Sequence, residues 1–148
     1  MTGEDHHLHA RTMAGIAGAV RRGQIEKALD YYLPDAVFEE TALGHAFHGR
    51  AAITKLFSDF VTAIEGPTFT VVSSFGSGRH AVFQWVMSGT RHSLVPQLPD
   101  RQAAHREFTL QGASVCLFNA DYRIARETVY WNPQAMGPSP APPSGTAH

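Results

Sequence analysis

The hydrophobic pattern of this chain changes period once, near residue 69, and that change constrains the fold more than any other feature. Upstream the spacing is helical. Leu8, Met13, Ile16, Ala17 and Val20 predict a helix over residues 6–22, closed by Gly23. Ile25, Ala28, Leu29 and Tyr32 predict a second short helix stopped by Pro34, and "AVFEET" then suits a strand. Ile53, Leu56, Phe57, Phe60, Val61 and Ile64 form the apolar stripe of a third helix, terminated by Gly66 and Pro67. From Phe69 onward the period is two. "FTVVSSF", "HAVFQWVMS", "REFTLQGASVCLF" and "RIARETVYW" are rich in β-branched and aromatic residues and read as four strands, with "FGSGRH" as a hairpin turn. Helices gathered early and strands gathered late predict an α+β fold, with a curved antiparallel sheet wrapped over three helices. Such a cone leaves an open end able to hold a ligand.

At 148 residues, 43% of them hydrophobic, the chain suits one domain over residues 1–136; the Pro-rich tail 137–148 is expected to be disordered. A formal charge of -1 offers no basic field to nucleic acid or anionic lipid. No apolar run approaches the ~20 residues of a membrane span, and "MTGEDHHLHAR" lacks a signal-peptide core, which together imply a cytoplasmic protein. The single Cys116 excludes an internal disulfide and reads as a small core residue.

Alternation puts Phe83, Trp85 and Met87 on one side of a strand, and groups Leu110 with Gly112 and Ser114, and Glu127 with Val129 and Trp131. The other side, with Val82, Val86, Val115 and Tyr130, is also apolar, so a homodimer through the sheet is expected. Two adjacent carboxylates, Glu39 and Glu40, end the apolar run before the turn "TALGHAFHG".

The layout, together with "YYLPDAVFEETALG", "HGRAAI" and "RIARETVYW", resembles the nuclear transport factor 2-like superfamily, in particular the SnoaL-like polyketide cyclases and the ketosteroid isomerases. The resemblance implies a cystatin-like α+β barrel and, on the inward aromatic side, a pocket involving Phe57, Phe83, Trp85, Met87, Leu110, Trp131 and Ile16. It implies that Glu40 occupies the place of the isomerases' general base, so that Glu39 faces away. It also implies departures. The isomerases' two oxyanion donors fall on Ile16 and Ser114, and a second tyrosine of their network falls on Phe57, while Tyr32 remains. Without those donors, each typically worth ~3 kcal/mol of barrier, ketosteroid isomerisation itself is not expected.

A carboxylate in apolar surroundings has its pKa raised toward values useful for proton transfer at neutral pH, so Glu40 needs no cofactor to act as a base. Glu127 is a second candidate, set against its default reading as a surface ion pair with Arg123 or Arg126. His92 and His105, which bracket the insertion "SLVPQLPDRQAA", are candidate acids, bases or hydrogen-bond donors at the rim, and Ser114 is a candidate donor to a substrate oxygen. His6, His7 and His9 read as solvated residues of a frayed terminus. His45 and His48 lack a further ligand beside Glu40, so neither metal nor cofactor is expected.

These readings support a cofactor-independent acid–base enzyme, a cyclase, isomerase or dehydratase acting on a hydrophobic polyketide- or terpenoid-like intermediate. One alternative is an epoxide hydrolase or epoxide-opening cyclase in which Glu40 pairs with Glu127 or with Glu65. Another is a non-catalytic small-molecule binder.

Overall fold

The computed structural model describes residues 3–91 and 106–136. Helix α1 (Gly3–Arg21) is followed by α2 (Ile25–Leu29), strands β1 (Tyr32–Glu40) and β2 (His45–His48), and helix α3 (Gly49–Ala63). Four strands complete the domain: β3 (Ile64–Ser77), β4 (His80–Arg91), β5 (Arg106–Phe118) and β6 (Ile124–Trp131), with a short 3₁₀ turn at Pro133–Met136. The single sheet runs β2-β1-β6-β5-β4-β3. All pairs are antiparallel except β1 with β6, so the sheet is mixed. Its edge strands β2 and β3 do not pair with each other, and the expected barrel is an open, α+β sheet over helices.

Helix α1 ends where its sequence says it must. Gly23 takes φ +75°, its N–H donates to the Val20 carbonyl, and the Gln24 N–H donates to the Ala19 carbonyl, the pairing of a Schellman cap. Met13, Ile16 and Ala19 are buried toward the sheet. His9 and Thr12 share that face, which corrects the reading of the N-terminal histidines as solvated. His9 is 0% exposed, with Nε2 2.8 Å from the Gly78 carbonyl and its ring stacked on Phe118 at 4.5 Å. His6 reaches Ser74 Oγ at 2.8 Å and stacks on Phe83, and only His7 is exposed. The helix begins at Gly3, so these residues lie within regular turns packed on the β3–β4 hairpin rather than at a frayed end.

Three boundaries differ from the sequence reading. Tyr32 opens β1 instead of closing α2, because Pro34 disfavours helical backbone at Leu33 and the chain extends early. Pro34 is tolerated because the β1–β6 register breaks between Tyr32 and Val37, where no ladder hydrogen bond is lost. Strand β3 starts at Ile64, with Gly66 at φ +62° inside an irregularity between Glu65 and Thr68, so Gly66 and Pro67 mark a bulge and not the end of α3. Strand β2 lies within the stretch that the sequence presents as a turn. Its four residues carry one inward apolar side chain, Phe47, too little for a period-two signal, and the hairpin is closed by Gly44 at φ +76°.

The core lies between the helices and the concave face of the sheet, with Leu29, Tyr32, Ile53, Phe83, Phe118 and Ile124 each at most 1% exposed. Cys116 is buried and unpaired. The convex face leaves Val72, Phe75 and Tyr130 more than half exposed. Among the described residues no helix is long and apolar enough to cross a membrane. The tail 137–148 and the insertion carrying His92 and His105 lie outside the described residues.

Candidate functional site

Side-chain parity decides what enters the space between α1, α3 and the sheet. On β1, Phe38 and Glu40 point inward while Glu39 points out and pairs with Arg126 at 2.9 Å. On β6 the inward residues are Glu127, Val129 and Trp131. Glu127 therefore does not form the surface ion pair that its arginine neighbours suggested, because Arg126 takes the outer position and Glu39 as partner. Trp85 and Met87 come from β4, Leu110 and Ser114 from β5, and Phe57 from α3, with Ile16 on α1 closing the top. Together they line a cavity of about 210 Å³, large enough for a small organic molecule.

Phe83 is not part of this wall. It is 1% exposed and packs under His6, one step down β4 from Trp85, where the sheet meets the N-terminal turns of α1. Glu65 is exposed and does not line the cavity, so of the two acid pairs only Glu40 with Glu127 is brought together. His45 and His48 are three apart on a strand, which directs them to opposite faces, and among the described residues no cluster of three or more His, Cys, Asp or Glu could hold a metal.

The floor of the cavity is a chain of hydrogen bonds. The Tyr32 hydroxyl donates to Glu127 Oε1 at 2.6 Å, and the Trp85 indole N–H donates to Ser114 Oγ at 3.0 Å. Ser114 also lies close enough to Glu127 to hold its pKa down. Because the indole nitrogen can only donate, the serine oxygen is the acceptor of that bond. The Ser114 oxygen is thus engaged by Trp85, beside the Glu127 carboxyl. Gly112 makes the arrangement possible, since a Cβ there would collide with the Trp85 ring. Alternation along the strands grouped Trp85 with its β4 neighbours and Ser114 with Leu110, but nothing local signals the bond between Tyr32 and Glu127, 95 positions apart.

Glu40 is different. It is 6% exposed; Oε1 accepts the Leu43 N–H at 2.9 Å, while Oε2 is buried without a partner. Burial pushes its pKa above the ordinary carboxylate value, opposed in part by the Leu43 amide and by His45. Burial likewise raises Glu127, opposed by Tyr32 and Ser114. In β1–β6 pairing Glu127 stands beside Phe38, two residues before Glu40. A strand spacing of about 4.8 Å and a rise of about 3.3 Å per residue put the two α-carbons about 8 Å apart. One bound molecule can reach both acids.

The model of the SnoaL-like domain family matches residues 14–127. No curated protein matches the chain by sequence. Solved structures match the fold. A candidate polyketide cyclase of Xanthomonas campestris superposes with a TM-score of 0.74 at 20% identity, covering 88% of this chain and 98% of that one. The epoxide hydrolase/cyclase-like enzyme SalBIII of pyran ring formation in the polyether salinomycin gives 0.72 at 16% identity, covering 88% and 95%. AclR of Streptomyces galilaeus, a candidate hydroxylase, gives 0.70 at 12% identity, covering 86% and 91%.

Proposed function

The chain belongs to the SnoaL-like domain family, and on that premise we propose that it is a cofactor-independent acid–base enzyme of the cyclase, isomerase or dehydratase type, acting on an apolar organic molecule held in the cavity. The observation that carries this reading is Glu40 Oε2, a buried carboxylate oxygen with no partner, in a chamber lined almost wholly by hydrocarbon and aromatic side chains. An unsatisfied buried acceptor is costly to keep unless a guest supplies its partner. Burial raises its pKa above the ordinary carboxylate value, which makes it a stronger base than an exposed glutamate. Met87, Leu110 and Trp131 would hold the guest by contact.

Enolisation of a bound flat ketone tests the role. Exchange of the α-protons of 2-tetralone in D2O, followed by NMR, is expected to run faster with the protein than in buffer. E40Q should cut the difference by about 10²-fold. Exchange unchanged in E40Q would remove Glu40 from the chemistry.

A second reading, epoxide opening, is favoured by the juxtaposition of Glu40 with Glu127 on adjacent strands. One acid would protonate the epoxide oxygen while the other activates water or an internal hydroxyl. Turnover of styrene oxide that disappears in both E40Q and E127Q would support it over the first reading. SalBIII, whose fold this chain shares, is described as epoxide hydrolase/cyclase-like, which makes that substrate class worth testing.

A further inference from the structure

The hydrogen-bonding groups facing the cavity are distributed unevenly. Several of its donors are already spent: Tyr32 O–H points at Glu127, Trp85 N–H points at Ser114, which lies beside Glu127, and the Thr68 hydroxyl is paired with Ser88. What is left facing the space is an acceptor. Glu40 Oε2 is unpartnered, on a side chain 6% exposed. The walls present four phenylalanines and two tryptophans, whose ring faces carry partial negative charge. Two of the three charged side chains lining the cavity are the buried acids Glu40 and Glu127. The third, Arg21, is exposed in the last turn of α1, and His45, which acts on Glu40 from β2, is exposed as well.

A chamber that offers acceptors and π-faces but almost no donor is ill suited to an oxyanion and well suited to positive charge. We propose that its ligand is an apolar organic cation, a protonated or quaternary amine whose alkyl or aryl groups lie on the aromatic walls with the nitrogen against the Glu40 and Glu127 carboxyls. This names the substrate class of the site just described and rests on that site being the place of binding. The partly exposed Trp131 indole and the exposed Arg21 guanidinium are remaining donors, both compatible with an oxygen elsewhere on the same molecule. Two acids and one bound cation also make a coupled set. The cation favours the ionised carboxylates, so binding releases protons at a pH where the acids are partly protonated.

The experiment uses a matched pair of probes on the full chain, benzyltrimethylammonium and its neutral carbon isostere neopentylbenzene. The two tryptophans of the chain, Trp85 and Trp131, both line the cavity, so their indole N–H signals report occupancy by NMR titration. At pH 8 the cation is expected to bind at least about tenfold more tightly than the isostere, and E40Q and E127Q should each narrow that ratio. Calorimetry at pH 5 in two buffers of different ionisation enthalpy should show proton release with the cation and none with the isostere. Equal or tighter binding of neopentylbenzene, or a preference unchanged in both variants, would overturn the proposal. 2-Tetralone exchange measured on the same samples separates the cases. Exchange that still depends on Glu40 while the cation preference fails leaves the acid–base reading standing and removes this one alone.

Discussion

Ser114 shows how one atom can change a site's chemistry. Its hydroxyl accepts from the Trp85 indole and lies beside the Glu127 carboxyl, whose pKa it lowers. Ser114→Ala leaves a buried N–H without an acceptor and takes a polar neighbour from a buried acid, so urea unfolding should show a loss of about 1–3 kcal/mol. The same variant should raise the Glu127 pKa further, measurable by carboxyl ¹³C NMR, because the serine holds it down. Glu40 and Glu127 also set a pH dependence whose sign follows from their direction of shift. Both pKa values lie above the ordinary 4.5, so the folded state binds these protons more tightly than the unfolded chain. Their contribution to stability is full below that value and is lost as pH rises through the folded-state pKa. Glu127→Gln keeps an acceptor for Tyr32 and removes the buried charge. Its Tm relative to wild type is therefore expected to climb between pH 4.5 and pH 8 in a thermal melt, and a flat difference would mean that Glu127 titrates normally.

Among the elements, α1 is the one most dependent on single residues. Its C-terminal cap needs a left-handed residue at position 23, where Gly23→Ala should cost about 1 kcal/mol by chemical denaturation. Its other end is docked by a histidine, not by an aliphatic side chain. His9→Ala deletes a buried ring that stacks on Phe118 and reaches the Gly78 carbonyl, so a loss of about 2 kcal/mol is expected, together with faster amide exchange across the first turns of α1. The period-3.6 pattern made this helix legible, but it could not say that its polar N-terminal positions are buried. That depended on the β3–β4 hairpin arriving underneath them, some 69 residues later in sequence. Strand β2 was illegible for the opposite reason. It is held by pairing with β1, and its own four residues carry almost no burial pattern.

For the whole molecule, the open sheet leaves two surfaces with different fates. The concave face is closed by α1 and α3 around the cavity, while the convex face keeps Val72, Phe75, Val115 and Tyr130 exposed. The expected homodimer would use that convex face. Light scattering should then give twice the chain mass for wild type, and Phe75→Asp should halve it without changing the circular dichroism spectrum. A monomeric wild type would refute the association.

Read alone, the sequence determined the α+β class, the order of the elements other than β2 and the alternation along β4, β5 and β6, because local periodicity and turn residues carry that information within a few positions. Parity set Glu39 opposite Glu40 and grouped Glu127 with Trp131, while the resemblance to the isomerases supplied which side faces inward. Tertiary structure alone decided which inward residues meet. It drew Glu127 out of an arginine-rich stretch into a bond with Tyr32, engaged Ser114 elsewhere, moved Phe83 into the core and buried His9. Those outcomes depend on contacts between segments far apart in the chain, where a side chain's surroundings come from its neighbours in space and leave no trace in its neighbours in sequence.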